Sequence, residues 1–144
     1  MSTPNHQFDH EKLDVYQLEL RFIAWVTALL ADVKGRRIPN LREVSDQLDR
    51  ASLSALLNTA EGNGRRGSQQ RARFFDDARG SGTECAACLD ALVAKGAVEP
   101  SRIDEGKEML FRIVSMLSKL VMRFEQKEEI EERGRGRGRA GGTE

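Results

Sequence analysis

From Leu13 to Phe124 the apolar residues return every three or four positions, and no stretch shows the alternation of a half-buried strand. That period is the strongest constraint on the fold, because an amphipathic helix can bury its stripe only against other elements. The first run is Leu13, Tyr16, Leu20, Ile23, Val26 (or Thr27) and Leu30, with Glu19 and Arg21 falling between. Asp9 is its expected N-cap, and Phe8 and Leu13 stand at the positions of a hydrophobic staple. Gly35 and Pro39 should end it. Asn40 to Glu43 has the form of a capping box and opens a second run, Leu41, Val44, Leu48, Ala51, Ala55, Leu56 and Leu57, expected to reach Ala60. Ser68 can cap a third helix carrying Phe74, Phe75, Ala78, Cys85, Leu89, Leu92 and Val93. Gly80 and Gly82 weaken that helix by about 1 kcal/mol each relative to alanine, so the spacing predicts either a bend or a close helix–helix contact there. A fourth helix restarts at Ser101 and carries Ile103, Leu110, Ile113, Val114, Leu117, Leu120, Val121 and Phe124. Four such helices joined by short breaks predict an all-α, up-down four-helix bundle.

The boundaries follow from where the stripe begins and stops. Residues 1–8 read as an N-terminal arm, 9–126 as the bundle, and 127–144 as a charged helix end running into an arginine–glycine tail too polar to bury a core. A chain of 144 residues is long enough for one domain with its own core. Formal net charge is zero, so any affinity for nucleic acid must arise from local asymmetry. The N-terminus has no basic segment followed by an apolar one, and the run "AWVTALLA" is far too short to span a bilayer. A soluble, cytoplasmic protein with no membrane partner is expected.

"EGNGRRGSQQ" places Gly62, Gly64 and Gly67 in the order G-x-G-x-x-G, the letters of a dinucleotide-binding loop. That fingerprint has meaning only between a strand and a helix. Here it follows a helix, so no nucleotide cofactor is expected, and the glycines read as a helix break that presents arginines.

The residues around that loop carry a different likeness. Gln47, Leu48, Arg50, Ala51, Ser54, Asn58, Ala60, Glu61, Gly62, Gly64 and Arg65 fit the pattern Q-L-x-R-A-x-x-S-x-x-x-N-I-A-E-G-x-G-R. Phe74, Ala78, Gly80, Ser81 and Glu84 fit a later F-x-x-x-A-x-G-S-x-x-E, and "KLDVYQ" is similar to the opening helix of the same group. The chain thus resembles a bacterial family of four-helix-bundle proteins, named for members encoded in intervening sequences of 23S ribosomal RNA genes. The resemblance runs from Phe8 to Phe124, with Thr59 where a branched apolar residue is usual, and leaves the tail outside. It implies a four-helix bundle assembled as a cyclic homo-oligomer, commonly a pentamer around a central channel. It attaches no enzymatic activity. A related protein accompanies the reverse transcriptase of diversity-generating retroelements and binds enzyme and nucleic acid.

Arg50, Ser54, Asn58 and Glu61 follow one another at steps of four, four and three, and so share a helical face that Glu84 can approach from the third helix. We read them as a structural polar network. The enzymatic alternative makes Glu61 or Glu84 a general base with Asn58 as a positioning donor. It lacks a nucleophile–base–orienter set, since the histidines, His6 and His10, lie near the N-terminus. Cys85 and Cys88 form a C-x-x-C, but no strand precedes them as a thioredoxin-like site requires, and a zinc site would need two further ligands. No catalytic residue, cofactor or metal is expected.

The basic residues are the more informative set. Arg65, Arg66, Arg71, Arg73 and Arg79 face only Asp76 and Asp77 between Gly62 and Gly80. Guanidinium groups beside the exposed amides of a helix start at Ser68 to Gln70 suit phosphate oxygens. Arg133, Arg135, Arg137 and Arg139 alternate with glycine in the tail, a composition that contacts RNA or single strands through phosphates and guanidinium stacking. The acidic stretch Glu125 to Glu132 could mask that tail or pair with a neighbouring subunit's. Two functions follow: a non-catalytic, oligomeric module binding RNA or DNA with low sequence specificity, or a protein-interaction scaffold or accessory subunit, such as a reverse transcriptase partner. Against both stand the plainer readings of a solvated turn and a solubilising terminus.

Overall fold

Four apolar stripes give four helices: α1 (Asp14–Val33), α2 (Leu41–Gly64), α3 (Ser68–Ala94) and α4 (Asp104–Gly141), with 3₁₀ turns at Asp9–Lys12 and Pro100–Ile103. The computed structural model describes the backbone of residues 6–141 and the side chains of residues 6–137, and no strand occurs among them. Each helix packs on the next in sequence, and α1 also meets α4, closing a ring of four. The linkers 34–40, 65–67 and 95–103 are short, as expected between antiparallel neighbours. The all-α helical bundle read from the periodicity is therefore what forms. None of the described helices is long and apolar enough to cross a membrane.

The core is continuous along the bundle, but α1 enters it through a different face from the expected one. Val15, Leu18, Phe22, Val26, Leu29 and Val33 are buried, whereas Leu13, Tyr16, Ile23 and Leu30 are half-buried and Leu20 is exposed. Two apolar stripes lie side by side on this helix, and the period alone cannot choose between them. The partners do: Phe22 stacks on Trp25 at 5.8 Å, and Trp25 lies over Gly106 of α4, where a side chain would overlap the indole. This rotation carries Glu19 into the core.

Several helix ends also differ from expectation. Asp9 opens a 3₁₀ turn rather than α1, and the Phe8 amide donates to Glu11 Oε2 at 2.7 Å. Asn40 is left-handed, with φ 60°, and makes no side-chain cap. Gly67, not Ser68, is the N-cap of α3. α2 does not stop at Ala60 but runs through Gly62, which is buried where a Cβ would stand 3.1 Å from Phe74 Cβ and 3.2 Å from the Phe75 ring. α3 is continuous through Gly80 and Gly82. A Cβ on Gly82 would lie 3.2 Å from Val114 Cγ2, so of the two expectations at these glycines the close contact is the one found.

Beyond Phe124, α4 continues to Gly141 through the segment read as a tail. Glutamates precede arginines along it, an order that complements the helix dipole, and Arg135 pairs with Glu128 at 3.3 Å. Ser68 Oγ bonds Glu131 Oε1 at 3.2 Å, the last side-chain tie to the bundle among the described residues. Residues 1–5 of the arm and the side chain of Arg139 lie outside the described residues.

Candidate functional site

One end of the bundle gathers the start of α1, the α2–α3 turn and the exit of α4. Asn63 Nδ2 donates to Asp9 Oδ2 at 3.0 Å and so ties the turn to the N-terminal segment. Arg65 donates to Glu61 Oε2 at 2.8 Å while its guanidinium lies 4.8 Å over the Phe74 ring. Arg71 lies 5.2 Å from the Phe124 ring and donates through Nε to the Arg65 carbonyl. Arg123 of α4, which the sequence reading missed, takes a second position on Phe124 at 5.5 Å. It is brought there because Phe124 stacks on Phe75 of α3 at 5.7 Å. Nothing in the local pattern at Arg123 distinguishes it from a solvated helix residue; only the α3–α4 packing does. Arg66 is exposed and has no carboxylate partner among the described residues.

The five arginines of this stretch thus divide. Arg65, Arg66 and Arg71 gather at the turn, and Arg71 shares the Phe124 ring with Arg123. Arg73 lies further along α3, lining a shallow hollow with Gln69, Asp76, Glu125 and Glu128, and Arg79 is paired with Asp76. The first turn of α3 makes no side-chain cap, which leaves the amides of Ser68 to Gln70 without one. On α4, Arg133, Arg135 and Arg137 are exposed. At helical spacing Arg133 and Arg137 share one side and Arg135 faces the other, with Arg139 following the same register in the backbone.

The expected polar network is smaller than the spacing implied. Ser54 and Ser81 bond through their hydroxyls at 3.0 Å across α2 and α3, and Asn58 Nδ2 donates to Ser54 Oγ at 3.1 Å and to its carbonyl at 2.9 Å. Arg50 turns instead to Gln47 Oε1 at 3.0 Å, and Glu61 to Arg65. Glu84 is exposed on the rim of the hollow that Ser54, Asn58 and Ser81 line with Asp76 and Asp77. Cys85 and Cys88 are free and buried; burial, with Cys88 and Glu84 adding to it, pushes the Cys85 thiol up to about 12 and so keeps it unreactive. Among the described residues no group of three or more His, Cys, Asp or Glu is placed to hold a metal ion.

The most unusual titratable group is one the sequence reading placed between the apolar positions. Glu19 is 1% exposed, and burial pushes its carboxyl up to about 8 against the opposing hydrogen bond with Thr59. Thr59 Oγ1 lies 2.8 Å from Glu19 Oε2 and 2.9 Å from the Ala55 carbonyl oxygen. Glu19 Oε1 has no partner among the described residues. The available clue was Thr59, a hydroxyl where the resembling family carries a branched apolar side chain.

Comparison with known proteins adds one match. The model of a protein family described as 23S rRNA-intervening sequence protein matches residues 11–119, from the first 3₁₀ turn to within a few residues of Phe124. No curated protein matches the chain.

Proposed function

The chain belongs to the 23S rRNA-intervening sequence protein family, and from that premise we propose that it is an oligomeric nucleic-acid-binding module without catalytic activity of its own. The observation that carries this reading is the arginine-dressed end of the bundle. Arg65, Arg66 and Arg71 lie at the α2–α3 turn, Arg123 shares the Phe124 ring with Arg71, and α4 runs on past them with Arg133, Arg135 and Arg137. At about 1.5 Å per residue, α4 carries arginine about 20 Å beyond Phe124. The nearby rings, Phe74 and Phe124, are already faced by guanidinium groups. Binding at the turn then rests on phosphates rather than on stacking against Phe74 or Phe124, with little sequence preference and a steep salt dependence.

Exposed apolar side chains support the oligomer. Leu20, Leu53 and Leu57 lie on α1 and α2, and Phe111, 76% exposed, lies beside Ala86 and Val114 at the α3–α4 side. In a ring of four helices these are opposite edges. Two unlike patches fit heterologous, head-to-tail contacts, which close into a cyclic assembly; the pentamer comes from the family resemblance. A ring repeats the arginine end in every subunit and raises affinity by avidity.

The scaffold reading is favoured by one observation: Arg65 and Arg79 are already engaged by the chain's own carboxylates, which leaves fewer free cations for a phosphate backbone. On that reading the ring docks an enzyme such as a reverse transcriptase. A titration of full-length protein and a version ending at Glu132 against short RNA, single-stranded DNA and duplex DNA, at two salt concentrations, separates the two. Salt-sensitive binding weakened by truncation is expected. Absence of binding to all three overturns the nucleic-acid reading and leaves the scaffold.

A further inference from the structure

We infer that Glu19 is held inside the bundle as a neutral carboxylic acid whose proton is donated to Thr59, and that this bond is a proton-dependent latch between α1 and α2. Counting hydrogens leads there. Thr59 Oγ1 carries one proton and stands within bonding distance of two oxygens, Glu19 Oε2 at 2.8 Å and the Ala55 carbonyl at 2.9 Å. The carbonyl can only accept. Were Glu19 ionised, it too could only accept, and the single Thr59 proton would have to be divided between two acceptors, leaving each contact weaker than a full hydrogen bond. With a proton on Glu19 Oε2 both contacts are satisfied: the acid donates to Thr59, and Thr59 donates to Ala55.

The surroundings agree. Glu19 is 1% exposed, and its other oxygen has no partner among the described residues. An unpaired carbonyl-like oxygen is tolerable in a core; half of an unpaired carboxylate is far more costly. α2 contributes Thr59 and Ala55, α3 contributes the Cys85 thiol, and the α4 side chains of the shared core, such as Ile113, Leu117 and Val121, are apolar. Cys85 is itself pushed up to about 12 and stays neutral. No cation contributes at Glu19.

Burial also raises the carboxyl to about 8, which fixes the direction of the linkage. The folded value lies above the unfolded one. The stability tied to the proton is therefore fully present below the ordinary carboxylate range and is lost as pH rises through about 8. Ionisation removes the donated proton and puts a charge where α1 meets α2. The two helices then separate more readily.

Infrared spectroscopy of the wild-type protein tests this without a variant that must fold. A protonated carboxyl band is expected at neutral pH, where ordinary carboxyls are ionised, and it should disappear on raising the pH through about 8. Glu19→Gln supplies an amide donor to Thr59 in place of the acid. It should abolish the band and remove the fall in unfolding midpoint expected of the wild type as pH rises from the ordinary carboxylate range to about 8. Absence of the band at neutral pH, or the same pH slope in Glu19→Gln as in the wild type, overturns the inference.

Discussion

Trp25 of α1 lies across Gly106 of α4, with its six-membered ring in the space a side chain at position 106 would need. Phe22 stacks beside it, and the Arg102 guanidinium covers it at 5.4 Å while pairing with Asp32 at 2.9 Å. Gly106→Ala gains about 1 kcal/mol of helix propensity. It must also displace a partly buried aromatic ring packed against the core, which costs about 1–3 kcal/mol. The clash should win. Denaturant unfolding followed by the fluorescence of this single tryptophan should show a lowered midpoint and a shifted native emission.

Two glycines two residues apart in α3 should respond oppositely. Gly80 has open space around its Cα, so Gly80→Ala should stabilise the protein by up to about 1 kcal/mol. At Gly82 the new methyl would press on Val114 Cγ2 at 3.2 Å, and the same substitution should lose that gain or destabilise. Thermal unfolding of the two variants side by side reads the contrast.

The Glu19–Thr59 pair predicts an asymmetry between single and double substitution. Thr59→Val leaves the acid without an acceptor in the core and should cost about 1–3 kcal/mol. Replacing both, as Glu19→Leu with Thr59→Ile, removes the polar atoms together and should be close to neutral or stabilising. The wild type should lose stability relative to Glu19→Gln as pH rises toward about 8, by at most about 1.4 kcal/mol per pH unit, and run parallel to it above that. Urea unfolding of the four proteins over a pH series measures all of this.

For the proposed nucleic-acid surface, Arg66→Ala and truncation after Glu132 should weaken binding to all sequences alike. Each should also flatten the dependence of log affinity on log salt, by about one for every phosphate contact removed. Arg79→Ala removes a charge already paired with Asp76 and should change affinity less. Binding isotherms at several salt concentrations distinguish these cases.

If the two apolar edges meet in a ring, a charge on either should dissolve it. Leu57→Asp on α2 and Phe111→Asp on α4 alter exposed positions and should leave helical content intact. Light scattering should then report a smaller particle for each variant.

Much of this was legible in the period of the sequence, and the failures share a cause. The four helices, and the buried stripe of α4 through Ile113, Leu117, Val121 and Phe124, follow from spacing because that helix has one continuous apolar stripe, with Phe111 and Met122 standing outside it. α1 has two, and the choice between Leu29 and Leu30 was made elsewhere, by the gap at Gly106. The misassigned face hid Glu19. Gly62 reads as a helix breaker in isolation and proves to be a contact with Phe74 and Phe75. At the candidate site, Arg65, Arg66 and Arg71 were legible because they are neighbours in sequence. Arg123 was not, since its place depends on which helix packs where; the partners of Arg65 and Arg79, Glu61 and Asp76, stand four and three residues away and were open to the same spacing argument.

The Ser68–Glu131 bond marks where α4 leaves the bundle, and it divides one continuous helix into two lifetimes. Before it, amides such as those of Ile113 and Leu117 lie under the core and exchange with solvent only when the whole domain opens. After it, Arg133 to Arg137 are exposed and separated by glycines, so each hydrogen bond answers to local fraying alone. Hydrogen–deuterium exchange along α4 should therefore show a step within about one turn of Glu131. A bound polyanion would register as that step moving toward the C-terminus.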